Sequence, residues 1–245
     1  MIIGLQIGRK NSKGLVGKNT ISIEGLPMAE WSLKAALASK YINKLFISTD
    51  DENLKKIALK LGILNIDRPL YLNTDSALGE DVFIYCHDYL QKIFHKKVEI
   101  LVLLMANAPT ISSSMIDQGI EDLKNDEKLD SVVSVSKYNM WSPIRARKIS
   151  NNGLLEPFVS LDYFRENNID LNCDRDSQGD VWFADMGVSI IRARNLKNIE
   201  YGIPPQRWMG RNISPIKNDG GLDVDYEFQI GQVEYWLRKN KKNII

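Results

Sequence analysis

Apolar and polar residues alternate along the first half of the chain in blocks that are typical of strands followed by helices. Short runs of aliphatic residues predict buried strands at residues 1–7, 44–49 and 100–105. The segments between them carry apolar residues three and four positions apart, which predicts helices at residues 28–38, 52–61 and 81–94. The sequence therefore predicts an α/β fold, a doubly wound, mostly parallel, Rossmann-like sheet with helices on both faces.

The run at residues 100–105 is the most apolar strand candidate, so we expect it at the centre of the sheet. Ligands of such sheets bind beyond the carboxyl ends of the strands, which directs attention to Gly8, Asp50 and residues 105–109. Further helices are predicted at residues 113–123 and 227–237, with a strand at 131–136. The periodicity weakens between residues 137 and 165. We therefore predict one domain, residues 1–245, with 137–165 as an excursion.

The first predicted strand runs into a loop, residues 8–19, that contains three glycines and four cationic residues. Glycine lets a backbone bend sharply and approach a ligand, and backbone amides with Lys and Arg attract anions. The expected ligand is the phosphate chain of a nucleotide, and a solvated basic turn is the alternative. The loop is not a P-loop, because Ser12 occupies the first glycine position and Asn19 follows Lys18, and it lacks the dinucleotide fingerprint.

Asp223 and Asp225 form a second candidate site near the end of the chain. Residues two apart in an extended chain project to the same side, about 7 Å apart at the backbone. Both carboxylates could therefore reach one hard cation such as Mg²⁺. The alternative is a solvated pair that caps the following helix.

Residues 8–19 resemble the opening A-R-x-x-S-K-G-x-x-x-K-N signature of the acylneuraminate cytidylyltransferases, with Gly8 in place of the first alanine. These enzymes make CMP-sialic acids and related CMP-nonulosonates. Other segments resemble that family in the same order along the chain: Ser48-Thr49-Asp50 (V-S-T-D), Arg68-Pro69, Leu72 to Ala77 (L-x-x-D-x-A) and Asp223 to Asp225 (I-D-I-D-T). The resemblance runs from residue 2 to about residue 234 and is strongest at the two ends.

The resemblance implies a CTP-dependent nucleotidyltransferase. A hydroxyl of an acidic, nonulosonate-like sugar would attack the α-phosphate of CTP, giving a CMP-sugar and pyrophosphate. Lys18, Asp223 and Asp225 would be catalytic, the two aspartates holding Mg²⁺. The nucleotide-binding residues would be Gly8, Arg9, Ser12, Lys13, Lys18, Asn19, Arg68 and Asp75. The acceptor-binding residues would be Met105, Asn107, Arg145, Arg175 and Trp182.

The sequence departs from the family pattern after the third predicted strand. Where the family has Q-P-T-S-P-L-R, residues 105–111 read M-A-N-A-P-T-I, so Met105, Ala108 and Ile111 replace Gln, Ser and Arg. Losing three polar groups near the substrates predicts an acidic acceptor other than N-acetylneuraminate: a modified nonulosonate, a smaller carboxylate or a phosphonate. A second departure is Asp185, which stands where an R-Q-x-x-P-x-x-[FY]-x-x-N-G stretch of the family has Asn.

Two other classes of protein remain open. An Asp-x-Asp glycosyltransferase would also bind a nucleotide-sugar through a metal, but its motif would stand mid-chain and it would lack the cationic opening loop. A binding protein of the same fold without catalytic activity is less favoured, since the phosphate-binding and metal-binding residues are both intact. Release of pyrophosphate from a nucleoside triphosphate distinguishes the first class from the others.

Composition adds expectations about partners and location. The formal net charge of +1 gives no argument for nucleic acid. Cys86 and Cys173 are too few for a disulfide framework, and no run approaches the ~18 apolar residues of a membrane span. We expect a cytoplasmic protein without membrane contact. His87 and His95 are too far apart on their helix to share a metal. The aromatic residues between 137 and 163 favour a homodimer.

Overall fold

The computed structural model describes residues 1–10, 14–74, 76–167, 171–174, 178–241 and 244. Its strands are β1 (Ile2–Ile7), β2 (Ser22–Ile23), β3 (Leu26–Pro27), β4 (Lys44–Ser48), β5 (Leu64–Asn65), β6 (Ile100–Met105), β7 (Ser131–Lys137), β8 (Arg147–Ile149), β9 (Leu155–Pro157), β10 (Trp182–Arg192) and β11 (Ile213–Asn218). Its α-helices are α1 (Met28–Leu37), α2 (Glu52–Lys60), α3 (Gly79–Ile93), α4 (Ser113–Asn125), α5 (Asp162–Glu166), α6 (Arg194–Lys197) and α7 (Ile230–Asn240). Short 3₁₀ helices include Lys18–Thr20 and Glu227–Gln229.

The main sheet has seven strands in the order β11-β7-β10-β6-β1-β4-β5. Strands β6, β1, β4 and β5 pair in parallel, and β10 runs antiparallel to β6. The predicted α/β class and the central place of residues 100–105 are confirmed, since β6 is the fourth of the seven strands.

Helices cover both faces of the sheet because alternate residues of β6 project to opposite sides. Val102 and Leu104 pack in one core cluster, with residues of α1, α4 and α7. Leu101 and Leu103 pack in another, mainly with residues of α3. This near-continuous apolar run, buried on both faces, is what a parallel central strand requires.

Strand β10 was not predicted, and its polar residues explain the omission. Asp185 and Ser189 interrupt the apolar pattern, yet both are buried. Helix α3 also begins two residues earlier than predicted, at Gly79, where the Asp81 carboxylate accepts a hydrogen bond from the Leu78 backbone N–H at 3.1 Å. Helix α7 follows a 3₁₀ turn and extends to Asn240.

The chain divides into two compact units, Met1–Val135 with Ala184–Ile245, and Ser136–Phe183. The second unit contains the β8–β9 hairpin, whose turn includes Gly153 in a left-handed conformation (φ 81°). Many of its apolar side chains are exposed: Met140, Trp141, Ile149, Leu154, Leu155 and Phe158. Within the described ranges, no helix is both long and apolar enough to cross a membrane.

Candidate active site

A cavity of about 500 Å³ lies at the carboxyl ends of β1 and β6, where the fold class predicts a ligand site. Its volume is in the range of small-molecule sites. Five of the predicted nucleotide-binding residues line it: Gly8, Arg9, Lys18, Asn19 and Arg68. Three further predicted residues line the same cavity: Met105, Asn107 and Asp225.

The opening loop is held at both of its described ends. The Asn19 side chain donates a hydrogen bond from Nδ2 to the Arg9 carbonyl at 3.2 Å, and the Lys10 backbone N–H donates to Asp50 Oδ1 at 2.9 Å. A Cβ at Gly8 would lie 2.7 Å from Ala106 Cβ. The glycine is therefore required by packing at this position, although the related signature has alanine there.

Gly14 brings the opening loop against the aspartate segment. A Cβ on this residue would lie 2.4 Å from the Asp225 carbonyl oxygen, so no side chain is compatible with this approach. Gly17, with φ 69°, then turns the chain into the 3₁₀ helix that begins at Lys18. The Lys18 side chain is 11% exposed, and its Nζ forms an ion pair with Asp225 Oδ1. Two segments separated by about two hundred residues in sequence thus meet in one cavity.

The backbone of the aspartate segment is fixed by Asn107. The Val224 N–H donates to the Asn107 carbonyl at 2.8 Å, and Asn107 Nδ2 donates to the Val224 carbonyl at 3.0 Å. The same Nδ2 lies 3.4 Å from Asp223 Oδ2. Val224 is fully buried, whereas Asp223 is half-buried and Asp225 is exposed. Asn107 was predicted only as an acceptor-binding residue, and the structure adds this positioning role.

The electrostatics of the aspartate pair suit a cation. Burial raises the pKa of Asp223, and the negative charge of Asp225 raises it further, while Lys18 and Asn107 oppose the shift. The Asp225 side chain is 56% exposed and reaches the cavity. No cluster of three acidic, histidine or cysteine side chains suited to a metal occurs in the described ranges. Two carboxylate ligands, with water and phosphate oxygens completing the shell, are a common arrangement for Mg²⁺, so the donor set fits this ion.

Arg68 places a half-buried cation in the cavity wall. Its Nε donates to Ser48 Oγ at 3.1 Å and its Nη2 to the Gly8 carbonyl at 3.0 Å. Burial lowers the pKa of this guanidinium, and no ion pair joins it to any carboxylate that the structure describes. A forked cation bonded only to neutral groups is well suited to an anionic ligand.

The remaining predicted residues are distributed as follows. Ser12, Lys13, Asp75 and Arg175 lie outside the described residues. Arg145 and Trp182 belong to the second unit, where Arg145 Nη2 donates to the Cys173 carbonyl at 3.0 Å.

From the end of β6 onward the sequence differs from the family pattern at Met105, Ala108 and Ile111, and these three residues do not all border the cavity. Met105 lines it, as predicted. Ala108 and Ile111 are fully buried, and Ile111 packs in the core with α1 and α4. The prediction that all three substitutions remove polar groups from the surroundings of the substrates is therefore wrong for Ala108 and Ile111. A side chain that is enclosed by the core cannot contact a ligand in a solvent-accessible cavity. Of these three positions, Met105 alone lines the cavity.

Several residues of the site were not identified from the sequence. Tyr226 lines the cavity, and its ring stacks on Phe228 with centroids 5.6 Å apart. Gln229 Oε1 accepts hydrogen bonds from the backbone N–H groups of Asp225 and Tyr226, at 2.7 and 2.8 Å. The indication in the sequence was that Tyr226 and Gln229 closely follow the aspartate pair.

A buried hydrogen-bond network connects strand β10 to Leu222, the residue that precedes the aspartate pair. Asp185 accepts hydrogen bonds from the Ser134 hydroxyl, from the Gly187 N–H at 3.1 Å and from Asn218 Nδ2 at 2.9 Å. Asn218 also donates to the Thr110 carbonyl, and the Thr110 hydroxyl accepts from the Leu222 N–H at 3.0 Å. The one sequence signal was Asp185 itself, at a position where the resembling stretch has Asn.

Together, a mostly parallel sheet, a cationic loop at the end of its first strand and a facing carboxylate pair define an α/β protein that binds a nucleotide or a similar phosphorylated ligand. Comparison with known proteins narrows this class. Residues 6–203 match the family model described as "Cytidylyltransferase". The chain belongs to the cytidylyltransferase family.

Individual relatives agree with this assignment. The chain is 31% identical over 166 residues to "N-acylneuraminate cytidylyltransferase" of Escherichia coli O18:K1:H7, covering 68% of this chain and 38% of that protein. It is 27% identical over 151 residues to "Pseudaminic acid cytidylyltransferase and UDP-2,4-diacetamido-2,4,6-trideoxy-beta-L-altropyranose hydrolase" of Helicobacter pylori, covering 61% and 28%. The chain thus spans about a third of the length of the curated relatives it matches.

A solved structure shares the fold over nearly the whole chain. CMP:2-keto-3-deoxy-manno-octonic acid synthetase complexed with CTP superposes with a TM-score of 0.68 at 16% identity, covering 98% of this chain and 99% of that one. At this identity the likeness concerns the fold.

Proposed function

We propose that this chain transfers a cytidylyl group from CTP to an acidic, nonulosonate-like sugar. A hydroxyl of the sugar attacks the α-phosphate, a new P–O bond forms, and the bond to the leaving pyrophosphate breaks. The observation that carries the proposal is the meeting of the cationic loop and the aspartate segment in one cavity, through Gly14 and the Lys18–Asp225 ion pair. The similarity to an N-acylneuraminate cytidylyltransferase and to a pseudaminic acid cytidylyltransferase supports the choice of CTP and of an acidic sugar.

The residues of the cavity act by positioning the substrates and by neutralising the negative charge of the phosphate oxygens. These are the main requirements of phosphoryl transfer. Lys18 and Arg9 approach the phosphate chain from the opening loop, and Arg68 supplies a half-buried guanidinium beside Gly8. Asn107 holds the aspartate segment at the end of β6.

Asp223 and Asp225 would hold the Mg²⁺ ion. When bound, the ion withdraws charge from the α-phosphate and the leaving group. Asn107 Nδ2 lies 3.4 Å from the Asp223 carboxylate, and Gln229 accepts a hydrogen bond from the Asp225 backbone N–H, so the segment that carries both aspartates is held in place. We further propose that the protein works in the cytoplasm, as a homodimer that forms through the second unit.

The acceptor is proposed to be an acidic sugar other than N-acetylneuraminate. The support is Met105, an apolar side chain in the cavity wall where the resembling family has Gln. A thioether offers no strong hydrogen bond, so it favours a less hydroxylated face of the acceptor.

The reaction is tested by measuring pyrophosphate release from each of the four nucleoside triphosphates, with Mg²⁺ and a panel of acidic sugars. We expect release from CTP only. Asp225→Asn should lower turnover by about 100-fold or more, and Asp223→Asn less, since loss of a metal ligand removes several kcal/mol of stabilisation. Asp219→Asn is the matched control, because this exposed carboxylate pairs with Lys239 outside the cavity. Near-normal turnover in both the Asp223→Asn and the Asp225→Asn variants would contradict the proposal.

The acceptor is tested by competition kinetics on the same panel. A modified nonulosonate should show a higher kcat/KM than N-acetylneuraminate. Met105→Gln should shift the ratio about 2- to 10-fold toward N-acetylneuraminate, the value of one hydrogen bond. If the unaltered protein prefers N-acetylneuraminate, the role given to Met105 is wrong.

A further inference from the structure

Thr110 is a fully buried residue whose hydroxyl makes two hydrogen bonds to the residue that precedes Asp223. The Leu222 backbone N–H donates to the Thr110 hydroxyl at 3.0 Å, and this hydroxyl donates to the Leu222 carbonyl at 3.3 Å. Thr110 does not border the candidate active-site cavity. Any part that it has in the reaction must therefore be exerted through Leu222.

Asn107 makes a corresponding pair of hydrogen bonds to the residue that follows Asp223. It accepts from the Val224 N–H through its backbone carbonyl at 2.8 Å, and its Nδ2 donates to the Val224 carbonyl at 3.0 Å. Leu222 and Val224 belong to no helix or strand, so regular secondary structure supplies no partners for these backbone groups. Thr110 and Asn107 supply them instead, one on each side of Asp223.

Thr110 is itself connected to the core by hydrogen bonds. Asn218 Nδ2 donates to the Thr110 carbonyl at 2.9 Å, and Asn218 Oδ1 accepts from Trp236 Nε1 at 2.9 Å. The Trp236 ring is buried in helix α7 and belongs to the core cluster that includes Val224. The hydroxyl that holds Leu222 is therefore a fixed point of the fold.

The two side chains that hold the segment are particular to this chain when it is compared with the pattern that it resembles. In Q-P-T-S-P-L-R, leucine stands at the position of Thr110, and threonine at that of Asn107. A leucine side chain has neither a donor nor an acceptor. The pair of hydrogen bonds to Leu222 thus depends on a hydroxyl that the pattern does not contain.

We propose that Thr110 is a positioning residue for the reaction. Together with Asn107 it fixes the backbone on both sides of Asp223, and this sets where the Asp223 and Asp225 carboxylates lie for Mg²⁺ and the nucleotide. The inference rests on the proposed function, in which these two aspartates hold the ion. Removal of a group that orients metal ligands commonly lowers metal affinity about 10- to 100-fold.

Calorimetric titration with CTP over a range of Mg²⁺ concentrations, without an acceptor sugar, measures this role in the absence of turnover. Thr110→Val removes the hydroxyl and should raise the Mg²⁺ concentration needed for half of the metal-dependent gain in CTP affinity at least about tenfold. Thr110→Ser keeps the hydroxyl and should leave that concentration nearly unchanged. Thr110→Ala also removes the hydroxyl, and we expect the same shift in it; this variant serves if Thr110→Val does not fold.

Ser131→Ala is the matched control for an effect on stability alone. The Ser131 hydroxyl is also fully buried, and it donates to the Met209 carbonyl at 2.6 Å, away from the residues that line the cavity. Its loss should lower the melting temperature, as the loss of the Thr110 hydroxyl does, but leave the Mg²⁺ dependence of CTP binding unchanged. An equal shift of that dependence in Ser131→Ala, or no shift in the folded Thr110 variants that lack the hydroxyl, would overturn the proposal.

Asp225→Asn in the same titration separates this inference from the proposed function. If Mg²⁺ strengthens CTP binding by the unaltered protein and Asp225→Asn abolishes the gain, the aspartates hold the ion as proposed. A normal Mg²⁺ response in Thr110→Val would then overturn the role of Thr110 alone. CTP binding that does not respond to Mg²⁺ in the unaltered protein would overturn both the metal site and the role of Thr110.

Discussion

Lys18 is buried in the wall of the candidate active site, with its ammonium group paired to the Asp225 carboxylate. The sequence indicated the residue type but not this partner. A buried ammonium is costly unless it is paired, so the ion pair with Asp225 stabilises Lys18 in this position. The triphosphate that we propose as ligand would offer Lys18 a second anion in the same cavity.

We predict that Lys18→Ala weakens CTP binding about tenfold or more, since one charge-assisted contact to phosphate is lost. Arg9→Lys should also weaken it, because an ammonium cannot reproduce a forked guanidinium. Isothermal titration with CTP measures both effects, and Lys56→Ala is the matched control on the exposed side of α2. Unchanged affinity in Lys18→Ala and Arg9→Lys would mean that the loop is only a basic turn.

At the scale of elements, the site depends on how closely two segments approach each other. Gly14 lies against the Asp225 carbonyl, and Asn107 at the end of β6 fixes the backbone of Val224. Neither segment is a regular helix or strand at the point of contact. Close backbone approach of this kind needs glycine on one side and hydrogen-bonded anchoring on the other.

We predict that Gly14→Ala lowers kcat/KM at least about tenfold, because the new Cβ would displace the opening loop from the aspartate segment. The melting temperature should change little, since the displaced residues lie in a surface loop. Gly231→Ala is the control: its Cβ would meet no atom within 4 Å in helix α7, where Ala is the better helix former. Full activity in Gly14→Ala would show that the loop can reposition without cost.

At the scale of the whole molecule, the second unit exposes more apolar surface than a solvated hairpin requires. Ile149 and Leu155 lie directly opposite each other on β8 and β9, and are 76% and 71% exposed. Trp141 and Phe158 add exposed aromatic rings in the same unit. Such clusters are typical of protein–protein interfaces, and closed two-fold symmetry is the commonest way for identical chains to cover them.

We predict a homodimer in sedimentation experiments at micromolar concentration. The double variant Ile149→Glu with Leu155→Glu should sediment as a monomer, because two carboxylates would be buried without partners at the interface. Leu59→Glu is the control, since this residue is 74% exposed on α2 in the first unit. An unaltered protein that is monomeric, or a double variant that remains dimeric, would contradict this assembly.

Much of the fold followed from local pattern alone. The periodicity of α1, α2 and α4 and the apolar run of β6 are visible in the sequence because burial of each element repeats at 3.6 or 2 residues. Strand β10 was missed because the buried Asp185 and Ser189 interrupt its apolar pattern, and Asp185 obtains its partners, Ser134 and Asn218, from distant parts of the chain. Local pattern carries no information about such partners.

The sequence by itself determined the chemical inventory of the candidate site: glycines and cations at the end of the first strand, and two aspartates near the end of the chain. Only the tertiary structure decided that Lys18 pairs with Asp225, that Asn107 anchors Val224, and that Met105 rather than Ile111 borders the cavity. The physical reason is the separation in sequence of the residues that make these contacts. Residue type and spacing fix local charge and conformational freedom, whereas contacts across about 120 to 200 residues exist only once the sheet orders its strands and packs its helices.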